Sequence, residues 1–413
     1  MNIKQLLLVF VSMILMIQVP VFADPSVFTF PYENLAQAKA KYDHGNSDIK
    51  EIVAVMLKEA DKALKQPARS VMDKSDVSVS GDKHDYYSVA PYWWPNPDTP
   101  DGLPYINKDG VWNYKERAKT DADAFNQTCG NMQKLGLAYY FTGNEIYANK
   151  ATELVRVWFL DKATKMNPNL NYGQAIKGIR AGSPGGGVLE GLGFTKVLDG
   201  IALIDDSDAW SEENQANLKS WFTQYNTWLH ETEFGKAAAN PTNNIGTWYH
   251  VQAVYLYLYL GETEKAKNLA KAGFDKLLDI QFSQDGAQPQ EARRTKSFAY
   301  YNYNLSAWTQ LAIVATQAGF DGWNYTTKNG RSLRLGLAFM AQYADPDKPW
   351  IKEDIVEPNR QSPMSYFALA AQFCNDPEIF QEALKYRDTQ AKPRWLLWSK
   401  MDGDNSVMIE IKK

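Results

Sequence analysis

One pattern recurs along this chain and narrows what it can fold into. An apolar stretch with helical periodicity runs into a Gly or Asn stop, and an amphipathic helical stretch follows. The first copy is Leu135 to Phe141, a turn at Thr142-Gly143-Asn144, then Glu145 to Phe159. The second is Val254 to Leu260, Gly261, then Glu262 to Leu278. A third runs from Leu311 to Ala318 and stops at Gly319. The fourth is Tyr366 to Cys374, a turn at Asn375-Asp376-Pro377, then Glu378 to Tyr386. A Gly after an apolar helix suits a left-handed C-terminal cap, and Pro377 suits the first turn of the next helix. The copies are diverged and unevenly spaced, which argues against a regular solenoid. Few stretches alternate as strands do. The pattern therefore predicts an all-α chain of helical hairpins, inner helix apolar and outer helix amphipathic, able to close side by side into an α/α toroid. The connections at 67–120, 160–187, 232–243 and 283–300 are long, and long loops on a rigid scaffold are where function concentrates. The tail from Ser406 to Ile411 reads as a short strand.

The first residues read as an address. Lys4 precedes an apolar run from Leu6 to Val21, broken only by Ser12, Gln18 and Pro20, and Ala23 offers a small residue for cleavage. That predicts a secretory signal peptide over residues 1–23. The run is short beside the roughly 20 apolar residues of a spanning helix. Residues 24–413 then form a single domain, periplasmic or secreted, with no membrane insertion after cleavage. No sequence feature separates a monomer from a simple homo-oligomer. The two cysteines, Cys129 and Cys374, are not a disulfide framework; one bridge and two buried thiols are both open.

The net charge of −4 gives no general affinity for nucleic acid or membrane, so an anionic substrate needs a local cationic site. The chain has 13 Trp, 23 Tyr and 18 Phe. Several stand beside polar residues in turn-rich stretches, as stacking faces for sugar rings do. There is no GxSxG, HExxH or phosphate loop, and His44, His84, His230 and His250 are too scattered for a dedicated metal cage. No cofactor is expected.

Three segments could carry chemistry. Lys83-His84-Asp85-Tyr86-Tyr87-Ser88 with Tyr92-Trp93-Trp94-Pro95 gathers a titratable His, phenols and stacking rings in one loop. Asn243-Asn244-Ile245-Gly246-Thr247-Trp248-Tyr249-His250 opens the inner helix of the second hairpin. Its paired Asn are either plain caps or amide donors beside a helix N-terminus, where an anion is favoured. Glu291 to Tyr303 puts Arg293, Arg294 and Lys296 before a run of tyrosines.

Together with Trp158-Phe159-Leu160-Asp161 and Met166 to Tyr172 followed by Gln174, these segments resemble the alginate lyase domain. The resemblance covers roughly residues 75 to 320. It is nearest to polysaccharide lyase family thirty-eight, and more distant from family five. It implies an incomplete α/α barrel of six to seven hairpins with a cleft, and β-elimination on an acidic polysaccharide, without metal. In that chemistry a donor stabilises the carboxylate as it takes on enolate character, a base removes the C5 proton, and an acid protonates the leaving oxygen. The resemblance implies that Tyr300 is acid and base, with Arg294 beside it lowering its pKa, and that Asn244 neutralises the carboxylate. Asn243, His84, Gln127, Tyr172, Gln174, Arg180, Trp93, Trp94 and Lys296 are candidates for contact with the saccharide. One position departs from the family: Ile245 stands where a His usually follows the paired Asn. His250 either reaches the cleft in its place or is an unrelated helix residue. Without that His, an elimination run by Tyr300 alone survives, which favours mannuronate- or glucuronate-type linkages over guluronate. Two other readings stay open: a glycoside hydrolase using two of Asp85, Asp123, Glu190 and Glu291, and a non-catalytic oligouronate-binding protein.

Overall fold

The computed structural model describes residues 26–400. The signal-peptide segment and the Ser406 to Ile411 strand lie outside them. The chain is mostly helical, in this order: α1 (Tyr32–Asp43), α2 (Ser47–Leu64), β1 (Tyr87–Val89), β2 (Trp93–Trp94), β3 (Ile106–Asn107), α3 (Tyr114–Arg117), α4 (Ala122–Thr142), α5 (Glu145–Val155), β4 (Tyr172–Ala175), α6 (Pro184–Leu189), α7 (Gly193–Ala202) and α8 (Glu212–Glu231). Then come α9 (Glu233–Ala238), α10 (Asn244–Tyr259), α11 (Thr263–Gln281), α12 (Pro289–Ala292), α13 (Ser297–Gln317), α14 (Leu333–Ala341), α15 (Met364–Phe373) and α16 (Glu378–Leu384).

The four hairpin signals sit where the residues place them. Gly143 caps α4 at φ +65, and Gly261 and Gly319 turn the chain at φ +81 after α10 and α13. The contrast between partners is plain in α10 and α11. From Tyr249 to Leu256 every residue of α10 is buried, so the helix has no solvent face. In α11, burial falls on Ala266, Ala270, Gly273, Phe274, Leu277, Leu278 and Gln281, a single stripe of helical period. Packing proceeds from α2 to α4, α4 to α7, α7 to α10, α10 to α13 and α13 to α15, and the turn Arg394–Trp398 packs on α1 and α2. The α4–α7 crossing is the tightest. A Cβ on Gly136 would lie 2.7 Å from the Gly200 carbonyl oxygen, so glycine lets the two backbones touch.

Most of the aromatic richness is core. Phe125, Trp158, Phe159, Phe194, Trp221 and Phe222 pack as one buried cluster of mainly edge-to-face rings. Cys129 and Cys374 are both free and buried, which decides for thiols over a bridge. Two short sheets organise the long loops. Parallel β1 and β4 bring Tyr87 beside Tyr172, and antiparallel β2 and β3 bring Trp93 beside Asn107. Among the described residues no helix is long and apolar enough to cross a membrane.

Candidate active site

The neighbouring helices α10 and α13 each place a polar first turn on one cavity of about 1490 Å³. That is larger than the about 300–1,000 Å³ of an ordinary small-molecule site. From α10 come Asn243, Asn244 and Ile245; from α13 and the turn before it come Arg294, Lys296, Tyr300 and Tyr303. The facing wall carries Tyr92 and Trp93, then Gln174 and Arg180 from the second long loop. Gln174 holds a left-handed backbone at φ +50, which costs a non-glycine residue about 1–2 kcal/mol. Its amide nitrogen donates to the Ser88 hydroxyl at 2.8 Å, one of the contacts that keep it there.

Tyr300 is the centre of the polar contacts. Its hydroxyl accepts from Arg294 Nη2 at 2.6 Å and donates to the Tyr92 hydroxyl at 2.8 Å. Arg294 is held from behind by Asp109, through Nε at 3.2 Å to each carboxylate oxygen and through Nη2. Asp109 also accepts from the Thr295 amide at 3.2 Å. Burial works against the Asp109 carboxylate, but the hydrogen bonds from Arg294 and Thr295 outweigh it and hold its pKa below the usual range. The expected lowering of the Tyr300 pKa is not what the surroundings produce. Burial raises it, the hydrogen bond to Tyr92 raises it further, and the charge of Arg294 offsets only part. The resting group is a neutral phenol.

Arg180, Lys196 and Lys296 line the cavity and supply the local positive charge that the net −4 of the chain withholds. Four other cations of the wall are paired: Arg117 with Glu190 at 3.2 Å, Arg294 with Asp109, Lys392 with Glu51 and Arg394 with Glu59.

Asn244 is 3 % exposed, and its nitrogen side faces a carboxylate. Nδ2 lies 2.9 and 2.8 Å from the two oxygens of Glu291, and the backbone amide donates to the same group at 3.1 Å. Asn243 caps α10, its side chain accepting from the Ile245 amide at 3.3 Å.

Five sequence candidates are not on the cavity wall. His250 is buried, with Nδ1 2.8 Å from the Gly246 carbonyl oxygen and its ring against Gly273 of α11. It does not reach the cleft in place of the missing His, and burial pushes its pKa down. His84 bonds the Lys165 carbonyl at 2.7 Å. Gln127 turns to the Pro67 carbonyl, while Asn126, one residue earlier on α4, lines the cavity. Tyr172 packs with Tyr87 and Val89. Trp94 donates to the Val111 carbonyl at 3.0 Å beneath Lys108.

Asp109 stands out in no sequence motif, and Tyr92, expected in a loop of phenols and stacking rings, proves to be the hydrogen-bond partner of Tyr300. The signal for Asp109 was the Asp109-Gly110 turn. Gly110 sits at φ +77, and a Cβ there would meet the Thr295 hydroxyl at 2.6 Å, so this loop is built to approach Arg294 closely. The paired carboxylates of a hydrolase are not assembled. Of Asp85, Asp123, Glu190 and Glu291 only Glu190 lines the cavity, and Arg117 and Tyr86 occupy its oxygens. Among the described residues no three His, Cys, Asp or Glu converge as metal ligands.

Comparison with known proteins gives the following. The family model described as alginate lyase matches residues 70–350. An alginate lyase from Bacteroides ovatus has a crystal structure 36 % identical in sequence, covering 91 % of this chain and 99 % of its own, with a TM-score of 0.87. Alginate lyase A1-III from Sphingomonas species A1 is 14 % identical, covers 86 % of this chain and 90 % of its own, and has a TM-score of 0.54, a likeness of fold. A His-to-Ala variant of that enzyme, complexed with a tetrasaccharide, is 13 % identical over 87 % of this chain and 91 % of its own, with a TM-score of 0.53. No match was found among curated proteins.

Proposed function

Because the chain belongs to the alginate lyase family and is a polysaccharide lyase, we propose that it cleaves an acidic polyuronate by β-elimination centred on Tyr300. The observation that carries this reading is the chain of contacts from Asp109, behind the cavity wall, through Arg294 and Tyr300 to Tyr92, which line it. A phenol can serve both halves of the reaction where the C5 proton and the leaving oxygen lie on one face of the sugar. Its oxygen takes the C5 proton as its own hydroxyl proton passes to the glycosidic oxygen, and the residue ends as it began. The neutral phenol favoured by burial is the form this cycle starts from. Arg294, which donates to the phenol oxygen, stabilises the negative charge that gathers there during transfer. The electrons of the broken C5–H bond form the new double bond to C4, and the C4–O bond breaks. No step calls on a metal ion.

Arg180 and Lys296 suit a polyanion, and Gln174 and Trp93 suit polar contact and stacking against its sugar rings. Ile245, where the family usually has a His, offers the cavity no second base. Single-face elimination therefore favours mannuronate- or glucuronate-type linkages over guluronate. The Sphingomonas enzyme, alike in fold, is solved in complex with a tetrasaccharide, which is consistent with a saccharide ligand for this chain. We read the helix-to-helix succession as an incomplete α/α toroid, the whole of 24–413 as one exported domain behind a signal peptide at 1–23, and family thirty-eight as its place among the lyases. An absorbance assay on a polyuronate panel tests the activity, because elimination leaves an ultraviolet-absorbing unsaturated end and hydrolysis does not.

A further inference from the structure

The role given to Asn244 meets an obstacle in its own contacts. To neutralise a substrate carboxylate, its amide must present N–H donors to the cavity. In the structure the nitrogen lies against both oxygens of Glu291. An ionised carboxylate can only accept, so it fixes which way the amide turns. Among the described residues no hydrogen bond occupies the Asn244 oxygen, and it is not among the buried polar atoms left without partners, so the cavity wall at this residue shows an acceptor. A substrate carboxylate would meet oxygen against oxygen there.

Glu291 itself is 2 % exposed and has no ion pair among the described residues. On its own turn Arg294 acts on it at longer range and favours the ionised form. From α10 it meets Asn244, and from α13 the phenols of Tyr301 and Tyr303 feel its charge at longer range. Burial is the largest influence and pushes the carboxyl pKa up, against the Asn244 hydrogen bonds. A second carboxylate arriving on the far side of Asn244 acts in the same direction as burial.

We propose that Glu291 is a positioning residue that takes up a proton when the uronate binds, letting Asn244 turn its amide nitrogen from Glu291 to the substrate carboxylate. The proton comes from solvent and resides on a Glu291 oxygen. The new O–H then donates to the Asn244 oxygen, which replaces the nitrogen at that contact. Both N–H donors are freed towards the cavity, the direction that stabilises an enolate-like carboxylate. The charge brought in by the substrate is matched by the charge lost at Glu291, so the site does not hold two facing carboxylates.

This rests on the polyuronate reading above, and calorimetry separates the two. The protein carrying Tyr300→Phe, expected to bind without turnover, is titrated with a mannuronate tetrasaccharide in buffers of different ionisation enthalpy, near neutral pH. The expected result is an uptake of about one proton per saccharide bound, absent when Glu291→Gln is added. Gln offers an N–H to the Asn244 oxygen and so imitates the protonated acid. In the otherwise native enzyme, Glu291→Gln is expected to keep a kcat/KM within about tenfold and to lose the alkaline fall of its pH profile. Saccharide binding with no proton uptake, or with the same uptake in the Gln variant, overturns the switch and leaves the substrate reading intact. If Glu291→Gln does not fold, the uptake in Tyr300→Phe alone decides. Absence of any binding overturns the substrate reading, and the switch with it.

Discussion

The guanidinium of Arg294 lies over the ring of Tyr300, its carbon 3.6 Å from the ring centroid, and the same group donates to the Tyr300 hydroxyl at 2.6 Å. The cation thus touches the phenol by face and by oxygen. Neither contact holds Arg294 in place by itself. Asp109 does so from a loop 185 residues earlier in the chain, taking the Nε edge.

Removing that support should be felt at Tyr300. Asp109→Ala is expected to lower kcat by roughly 10- to 100-fold, since a catalytic group displaced by about an ångström can cost that much. Asp109→Asn, which keeps an acceptor oxygen, should lose less. The Asp109 pKa is depressed, so the contact is complete above the unfolded carboxylate value of about 3.9 and is lost only as pH falls through the lower folded value. Activity between pH 5 and 7 should therefore show no step from this group, which a pH–kcat profile of the native enzyme checks.

Ile245 sets the expected linkage preference. Ile245→His would place a titratable base where the cavity wall is now apolar. The ratio of initial rates on polyguluronate to polymannuronate is expected to rise by about tenfold or more. An unchanged ratio, with binding intact, would remove the face-selection argument.

Acid stability has a definite contributor away from the cavity. Burial lowers the pKa of His230 to about 4, with the charge of Glu262 opposing it. Its ring stacks on Tyr257 with centroids 4.7 Å apart, and Nε2 is buried without a partner. A depressed histidine stabilises fully above the unfolded pKa near 6.5 and loses that stability as pH falls towards 4. The loss amounts to at most about 3 kcal/mol. His230→Phe keeps the stacked ring and should flatten this dependence, read as melting temperature between pH 7.5 and 4.5.

The α4–α7 crossing should tolerate no added atom. Gly136→Ala puts a methyl group 2.7 Å from the Gly200 oxygen and 2.9 Å from its Cα, both backbone atoms that cannot rotate away. The expected cost is about 1–3 kcal/mol or more, measured by urea unfolding. Gly143→Ala meets open space but must hold φ +65, so its cost is conformational and about 1 kcal/mol.

The hairpins were legible because their signals are local. Gly143, Gly261 and Gly319 each stop a helix by a left-handed turn that three or four neighbouring residues announce. Arg294 and Tyr300 were legible as a pair for the same reason, being six positions apart in one loop-to-helix junction. The contacts that decide how that pair behaves were not. Asp109 and Tyr92 reach it from another loop, and whether burial or Arg294 controls the phenol depends on packing that no motif encodes. His250 fails as a cleft residue by direction alone, since helix rotation and Gly273 draw its ring into the core. Gln127 and Asn126 differ by one step of the same rotation. Glu291 was visible as a carboxylate, yet its hold on Asn244 spans 47 residues and two helices.

The central claim is that Tyr300 runs an elimination on a polyuronate, and ultraviolet absorbance at the new double bond reads it most directly. The native protein should generate absorbing ends from polymannuronate or glucuronan, and Tyr300→Phe, folded and still binding oligosaccharide, should lose roughly 10²–10⁴-fold in kcat. Full activity in the Tyr300→Phe protein, or depolymerisation without any absorbing product, would contradict it.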